Sequence, residues 1–313
     1  MTRYLASRFA GMVIVMLLVA TIVFFITRLA PGDPAAVMLG EQATAADIAK
    51  LRASYGLDQP LPLQFVYWLG ELARGNLGQS IFLQRPVTQA LAERAEPTFF
   101  LTLFSIVIAT LIGIPCGIIA AVWRGKTIDQ FFSGFAMLGA SIPSFWFGLI
   151  LMQIFAVSLG WFPVAGYGDP GVPLSDRLHH LVLPAIVLGV VNSALILRFT
   201  RASMLDVLGE DHIRTARAKG LSEASVILHH ALRNALIPVI TILGLTFALL
   251  IGGAIVTETV FGLPGIGNLV VSAVLRRDYP VIQGALLVIA GLYVLINLLI
   301  DLLYLVVDPR VKY

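Results

Sequence analysis

The sequence predicts an all-α polytopic membrane protein with six transmembrane helices and an ordered external segment between the first and second. Three observations carry that prediction. Of 313 residues, 58% are apolar and 12% charged, with a mean hydropathy of +0.90, whereas a soluble domain is about 45–50% apolar and about 25% charged. Uncharged runs at 9–27, 97–122, 131–168, 181–197, 234–257 and 279–300 suit the ~17–25 residues that cross a ~30 Å hydrocarbon core as a helix. Finally, Lys and Arg are distributed unequally between alternate connections. Arg3, Arg8, Arg124, Lys126, Arg198, Arg201, Arg214, Arg217, Lys219, Arg233, Arg310 and Lys312 fall on one side, against Arg177, Arg276 and Arg277 in the opposite short loops. The positive-inside bias then places both termini in the cytoplasm. No alternating ten-residue pattern suggests a β-barrel.

Taken in order, Arg3 and Arg8 precede the first apolar run as in a signal peptide. The run is longer than the roughly 7–15 residues of a cleavable apolar region. It ends in Arg28-Leu29-Ala30-Pro31 without a small-x-small cleavage site, so residues 1–30 read as a cytoplasmic N-terminus and a retained first span. Residues 31–96 form the external, periplasmic segment. Thr44 and Asp47 make a capping-box-like start for a helix running to Tyr55 and stopping at Gly56. Pro62 opens a second helix that ends before Gly75, and Pro86 opens a third. This segment is either a cap packed on the spans or a surface that meets an incoming substrate or its carrier.

Residues 97–305 hold the remaining five spans, with a basic cytoplasmic loop over 201–234, and residues 306–313 form a cytoplasmic tail. The run 131–168 is long enough for a span and its exit. A second uncharged run, 259–275, contains Gly262, Pro264, Gly265 and Gly267 and reads as a broken re-entrant or interfacial segment. Pro115, Pro143, Pro184 and Pro238 fall in or at the ends of spans, where each removes a backbone donor and kinks or breaks a helix. Gly113-x-x-x-Gly117 lets two helices approach closely. Gly244, Gly252 and Gly253 add small surfaces to the fifth span.

Several function classes fall away. Gly125-Lys126-Thr127 ends like a phosphate-binding loop, but position 120 is Ala120 instead of the first glycine, and the context is the tail of a membrane helix. Neither H-E-x-x-H nor G-x-S-x-G occurs, and no nucleophile–base pair marks a hydrolase. His179-His180 and His229-His230 are adjacent pairs, and i,i+1 neighbours on a helix do not share a face. No metal site and no catalytic residue are therefore expected. Cys116 is the lone cysteine, which excludes an intrachain disulfide. A net charge of +3, spread around the spans, invites no nucleic-acid partner. Asp301, with Asn297 one turn before it, lies near the cytoplasmic end of the last span and reads as a structural partner for a cation there. No span centre carries the carboxylate that an ion-coupled secondary transporter would use.

The stretch from 214 to 238 is the most informative. Leu221, Ala224, Leu228, Ala231 and Ala235 recur at spacings of 3, 4, 3 and 4, an apolar helical stripe. Ahead of it, Arg214, Arg217 and Lys219 ride on a short helix with Ala216 and Ala218, and Gly220 permits a sharp turn. The product is a basic helix, a turn, and an amphipathic helix entering the membrane at Pro238. Spacing leaves two readings open: a loop lying on anionic lipid, or a protruding helix that docks into a cytoplasmic partner.

Arg214-Thr215-Ala216-Arg217-Ala218-Lys219-Gly220-Leu221, followed by His230-Ala231-Leu232-Arg233-Asn234-Ala235-Leu236-Ile237-Pro238, resembles the coupling-loop motif of ABC importer permeases. The branch it resembles is the dipeptide/oligopeptide/nickel family, which includes glutathione permeases. The leading Glu of the broader E-A-A-x-x-x-G motif is absent, and the gap to Pro238 is longer than the general pattern, as in the peptide branch. Pro31-Gly32-Asp33-Pro34, Tyr55-Gly56-Leu57-Asp58-Gln59-Pro60, Arg85-Pro86-Val87, residues 201–208, 261–267 and 277–280, and Asp308-Pro309-Arg310 extend the likeness over nearly the whole chain.

The resemblance implies a type I ABC importer permease fold and a permease subunit moving small peptides or related solutes across the bacterial inner membrane. It implies a homologous permease as partner and two cytoplasmic ATPase subunits that carry ATP and Mg. A periplasmic or lipid-anchored binding protein would deliver substrate. Arg214, Thr215, Ala216, Arg217, Ala218, Lys219, Gly220, Leu221 and Ser222 would couple ATPase closure to the spans. Nickel-chelate or glutathione import shares the same fold, and a stand-alone secondary transporter is the alternative of a different class.

Overall fold

The computed structural model describes residues 2–29, 36, 39, 44–54, 56–169 and 171–307. Tyr55, Pro31 to Pro34, and the Asp308-Pro309-Arg310 tail lie outside them. The chain divides into two compact units, Met1–Glu96 with Gly265–Val294, and Pro97–Pro264 with Leu295–Tyr313.

In the first unit, α1 (Thr2–Leu29) crosses as an unbroken apolar helix. Its fully buried Phe24 meets Phe65 at 5.2 Å and Trp68 at 5.5 Å on α3 (Leu61–Ala73). Helix α2 (Ala45–Ser54) has the N-cap half of the expected capping-box-like start: the Asp47 amide donates to Thr44 Oγ1 at 3.2 Å, while that hydroxyl donates to Asp47 Oδ2 at 2.6 Å. Gly56 and Gly75 then turn the chain with φ of 62° and 78°, values that L-residues with a Cβ rarely adopt.

Helix α4 (Val87–Val122) begins at Pro86, as expected, but does not end before the span. It is one helix of 36 residues that passes through Pro97 and Pro115, joining the expected third external helix to the second span. A proline costs a helix one donor and some local bending. Buried apolar residues lie on both sides of Pro97: Val87, Ala90 and Leu91 before it and Leu101 after. Farther along, Thr102 Oγ1, Ser105 Oγ and Thr110 Oγ1 donate to carbonyls one turn back, which satisfies hydroxyls where no water is at hand.

The second unit is organised around α8 (Val182–Leu208), whose apolar window is 56% buried, against 17% for α1 and for α13 (Tyr279–Val307). Glycines set how closely neighbours approach α8. A Cβ on Gly113 would stand 2.7 Å from Ile196 Cβ, one on Gly117 2.6 Å from Thr200 Cβ, and one on Gly189 2.6 Å from Ile108 Cβ. The Gly113-x-x-x-Gly117 pattern is thus a real face-to-face contact.

The run 131–168 is not one straight span. Helices α5 (Thr127–Ser141) and α6 (Ser144–Leu151, continued in π-helical form over Met152–Ser158) meet at 99°. Pro143 forces the residue before it out of the helical region, and Ile142 sits at φ −80°, ψ 124°. Among the described residues, five helices are long and apolar enough to cross a membrane, and six spans result when the bent pair counts as one. A short helix, α7 (Leu174–His180), precedes α8. Helix α11 (Leu232–Val260) ends in a turn at Gly262, and α12 (Ile266–Arg276) follows in the first unit, the broken segment foreseen for 259–275.

Candidate functional site

Helix α9 (Asp211–Ala218) follows α8 directly. Asp211 lies in its first turn and Arg217 in its last, each favourable to the helix dipole. Ile213 and Ala216, three residues apart, are buried in an apolar cluster with Ala121, Met204, Val207, Val226, Ala231 and Ala235. That cluster draws on α4, α8 and the approach to α11. With one face so anchored, Arg214, Thr215, Arg217, Ala218 and Lys219 are all exposed.

The helix stops where Gly220 takes φ +78°. The Gly220 amide donates to the Arg217 carbonyl at 2.9 Å, and Leu221 to that of Ala216 at 3.4 Å. A Cβ on Gly220 would meet nothing within 4 Å, so its requirement is backbone conformation and not space. Ser222 caps α10 (Glu223–Ser225) by accepting from the Ser225 amide at 3.4 Å. Across the turn, Arg217 Nε and Nη2 donate to the two Glu223 oxygens at 2.8 and 3.3 Å. Arg214 pairs with Asp211 at 3.3 Å. The expected basic helix, glycine turn and second helix are all in place.

The expected stripe is corrected. Ala231 and Ala235 are buried, but Leu221 is 42% and Leu228 54% exposed, and Ala224 is exposed with them. The buried positions are Val226, Ala231, Ala235 and Val239, with a first step of five residues. Residues Val226–Ala231 adopt π-helical hydrogen bonding, which takes up one extra residue and rotates everything before it relative to the face that follows. A period of 3.6 carried through from Leu221 cannot detect that slip.

Two polar contacts carried no motif. His212 Nδ1 lies 3.0 Å from Glu210 Oε2, and Asn234 Nδ2 lies 3.1 Å from His212 Nε2 while donating to the His230 carbonyl at 3.1 Å. The Asn234–His212 contact ties α9 to the start of α11, and 22 residues of separation hide it in the sequence. Beyond the loop, Arg201 grips Asp129 through Nε at 2.6 Å and Nη2 at 2.8 Å. Asp129 also accepts from the Gly125 amide at 2.9 Å and Ser133 Oγ at 3.3 Å. Glu258, near the end of α11, is fully buried and accepts from Thr98 Oγ1 at 2.6 Å. It sits outside the apolar centre of its span, which is why no mid-membrane carboxylate was legible. His179 and His180 close α7, with the His179 ring 5.2 Å from that of Phe162.

Residues 113–313 match the family described as "Binding-protein-dependent transport system inner membrane component", and residues 1–102 match "Binding-prot-dependent transport system membrane comp, N-term". A probable peptide ABC transporter permease protein, y4tP of Sinorhizobium fredii, is 46% identical over 311 residues, 99% of each chain. The glutathione transport system permease protein GsiC of Pectobacterium atrosepticum is 46% identical over 313 residues, 100% of each chain. Among solved structures, the inward-facing MetNI methionine ABC transporter shares the fold, with a TM-score of 0.57, 19% identity, and coverage of 71% of this chain and 97% of that one.

Proposed function

Because the chain belongs to the family of binding-protein-dependent inner-membrane transport components, and is the transmembrane permease subunit of an ABC importer, we propose that Arg214 to Ser222 is its coupling element. In this reading both termini are cytoplasmic. The exposed face of α9 seats on one of two ATPase subunits, which bind ATP and Mg and carry out hydrolysis, and a homologous permease completes the membrane pathway. A periplasmic or lipid-anchored binding protein delivers the cargo. Peptides or related solutes are the proposed substrates, after the peptide and glutathione permeases that the chain resembles.

One observation carries the coupling role. Helix α9 is exposed and basic outward, yet Ile213 and Ala216 are locked into a cluster shared with three membrane helices. A push on its outer face is therefore delivered to α4, α8 and α11 together. ATPase closure then biases a two-state equilibrium of the bundle through contacts that differ between the states.

The test is the assembled importer in liposomes, with ATP hydrolysis and uptake read separately. Arg217→Glu and Gly220→Val should each cut uptake about tenfold or more, within the usual range of coupling free energies, while membrane insertion is unchanged. Wild-type uptake with wild-type stimulated hydrolysis in both variants would end the coupling role. Failure of the wild-type chain to co-purify with ATPase subunits would end the wider reading.

A further inference from the structure

Within the second unit, α5 and α8 enclose a cavity of about 390 Å³ beside the Asp129–Arg201 pair. Ser133 and Met137 line it from α5, and Arg198, Phe199, Arg201 and Ala202 from α8. Asp129, Ser133 and Met137 recur at every fourth residue, and Arg198, Arg201 and Ala202 at spacings of 3 and 4, so one face of each helix meets the other here. Arg201 uses Nε and Nη2 on Asp129, which leaves Nη1 without a partner among the described residues. Arg198, one turn closer to the apolar centre of α8, is exposed and makes no ion pair or hydrogen bond among the described residues. Of the carboxylates on these two helices, Asp129 and Asp206, neither lines the cavity. The charge of Asp129 is matched by Arg201, so the cavity carries one uncompensated positive charge, that of Arg198.

Arg198 is the first charge after the uncharged run 181–197, so its guanidinium stands at the boundary of the hydrocarbon, where a long side chain snorkels to the headgroups. Trp123, with Lys126 4.6 Å from its ring centroid, precedes α5 at the end that meets Arg201, and tryptophan is enriched at that boundary. The rest of the wall is apolar, with Met137 and Phe199 exposed. A soluble anion would satisfy the charge and leave those side chains uncovered. A phospholipid satisfies both, with its phosphate at the guanidinium groups and its first methylenes against Met137 and Phe199. Headgroup selectivity follows from the carboxylate. An ammonium headgroup needs an acceptor, and both Asp129 oxygens are already engaged by Arg201, the Gly125 amide and Ser133.

We propose that this cavity binds an anionic phospholipid, whose phosphodiester is held between Arg198 and Nη1 of Arg201 and whose acyl chain runs along Met137 and Phe199. Basic pockets between membrane helices hold anionic headgroups in this way. The lipid belongs to the leaflet from which α9 projects, which the proposed orientation makes the cytoplasmic one; only that choice of side rests on the functional reading. Because α8 leads directly into α9, the bound lipid braces α5 against the base of the proposed coupling helix.

For the experiment, the full chain is purified with its co-purifying subunits and delipidated in mild detergent. It is then titrated with dioleoyl phosphatidylglycerol or dioleoyl phosphatidylethanolamine under native mass spectrometry. One phosphatidylglycerol per copy of this chain should bind about tenfold more tightly than phosphatidylethanolamine, the scale of one charge-assisted hydrogen bond. Arg198→Gln should abolish that preference. Ala202→Trp, which keeps both arginines and fills the cavity, should abolish it too. Arg124→Gln removes a cation from the same membrane boundary but outside the cavity, and should bind as wild type does.

A preference within about twofold of wild type in both Arg198→Gln and Ala202→Trp overturns the site. An equal loss in Arg124→Gln reduces the effect to general surface charge and overturns it as well. Displacement of the lipid by millimolar inorganic phosphate assigns the cavity to a soluble anion. Loss of a co-purifying permease in Arg198→Gln, with the lipid preference intact, assigns this face to that subunit. Either of those two results overturns the stated occupant. If Arg198→Gln does not accumulate, Ala202→Trp decides alone. A preparation that carries no ATPase subunit ends the functional reading, while the lipid preference of the chain still decides the site.

Discussion

Two arginines in the second unit grip a carboxylate through the same Nε and Nη2 fork. Arg201 holds Asp129 where the side chains are 29% and 7% exposed, and Arg217 holds Glu223 where they are 42% and 62% exposed. The first carboxylate also accepts from the Gly125 amide and Ser133. The second pair spans the turn at Gly220 and the short helix capped by Ser222. Buried charge is strongly destabilising when its partner is removed, whereas an exposed pair contributes little and is screened by salt. Identical chemistry therefore makes an anchor joining α5 to α8 and, on the loop after α9, a weaker tie across the Gly220 turn. The proposed coupling role calls for the second kind.

The largest expected effect comes from breaking the anchor. Asp129→Ala strands Arg201 at a half-buried position and should destabilise the folded chain by about 3–5 kcal/mol, read as loss of the monodisperse peak after heating in detergent. Asp129→Asn keeps an acceptor and should lose less. If both melt like wild type, the contrast between the pairs has no energetic content.

Next comes the helix contact beside that anchor. Gly117→Ala would place a Cβ 2.6 Å from Thr200 Cβ and 2.8 Å from the Leu197 carbonyl. Overpacking of this kind costs about 1–3 kcal/mol, seen as a lower melting midpoint with the ratio of uptake to ATP hydrolysis preserved. Gly220→Ala should cost about 1–2 kcal/mol of left-handed strain, confined to the turn. Its signature is the reverse: a small melting shift with a reduced transport-to-hydrolysis ratio. Smallest of all, Glu223→Gln should change stability by less than about 1 kcal/mol and be indistinguishable from wild type at high salt. A Glu223→Gln loss as large as that of Asp129→Ala would erase the distinction between anchor and tie.

Much of this is legible in the sequence. Backbone inside a bilayer is satisfied only by helices or closed barrels, and uninterrupted apolar runs without a barrel's alternation left helices, so the spans followed from the sequence pattern. Thr44 with Asp47, Gly56, Gly75 and Gly220 encode their caps and turns locally, through a hydroxyl acceptor or tolerance of positive φ. Arg214 to Leu221 stand out because they resemble a family motif, which is what motivates the proposed coupling role. What stayed hidden depended on register or on distant partners. The π turn at Val226–Ala231 changes which side chains share a face without changing the residues themselves, so a 3.6-residue period puts Leu221 and Leu228 in one stripe with Ala231 and Ala235.

A bundle of apolar helices, the residues at which the chain turns, and a loop rich in Arg and Lys with a glycine turn were all readable in the sequence, because each is set by local or compositional physics. Only the tertiary structure decided that α4 runs unbroken through Pro97 and that α5 and α6 bend by 99° at Pro143. It also decided that Asp129 meets Arg201 and that Asp278 organises the loop at Ser80. Those outcomes depend on which groups lie opposite one another in space. A proline permits either a break or a continuous helix, and a carboxylate takes whichever donors the fold brings to it.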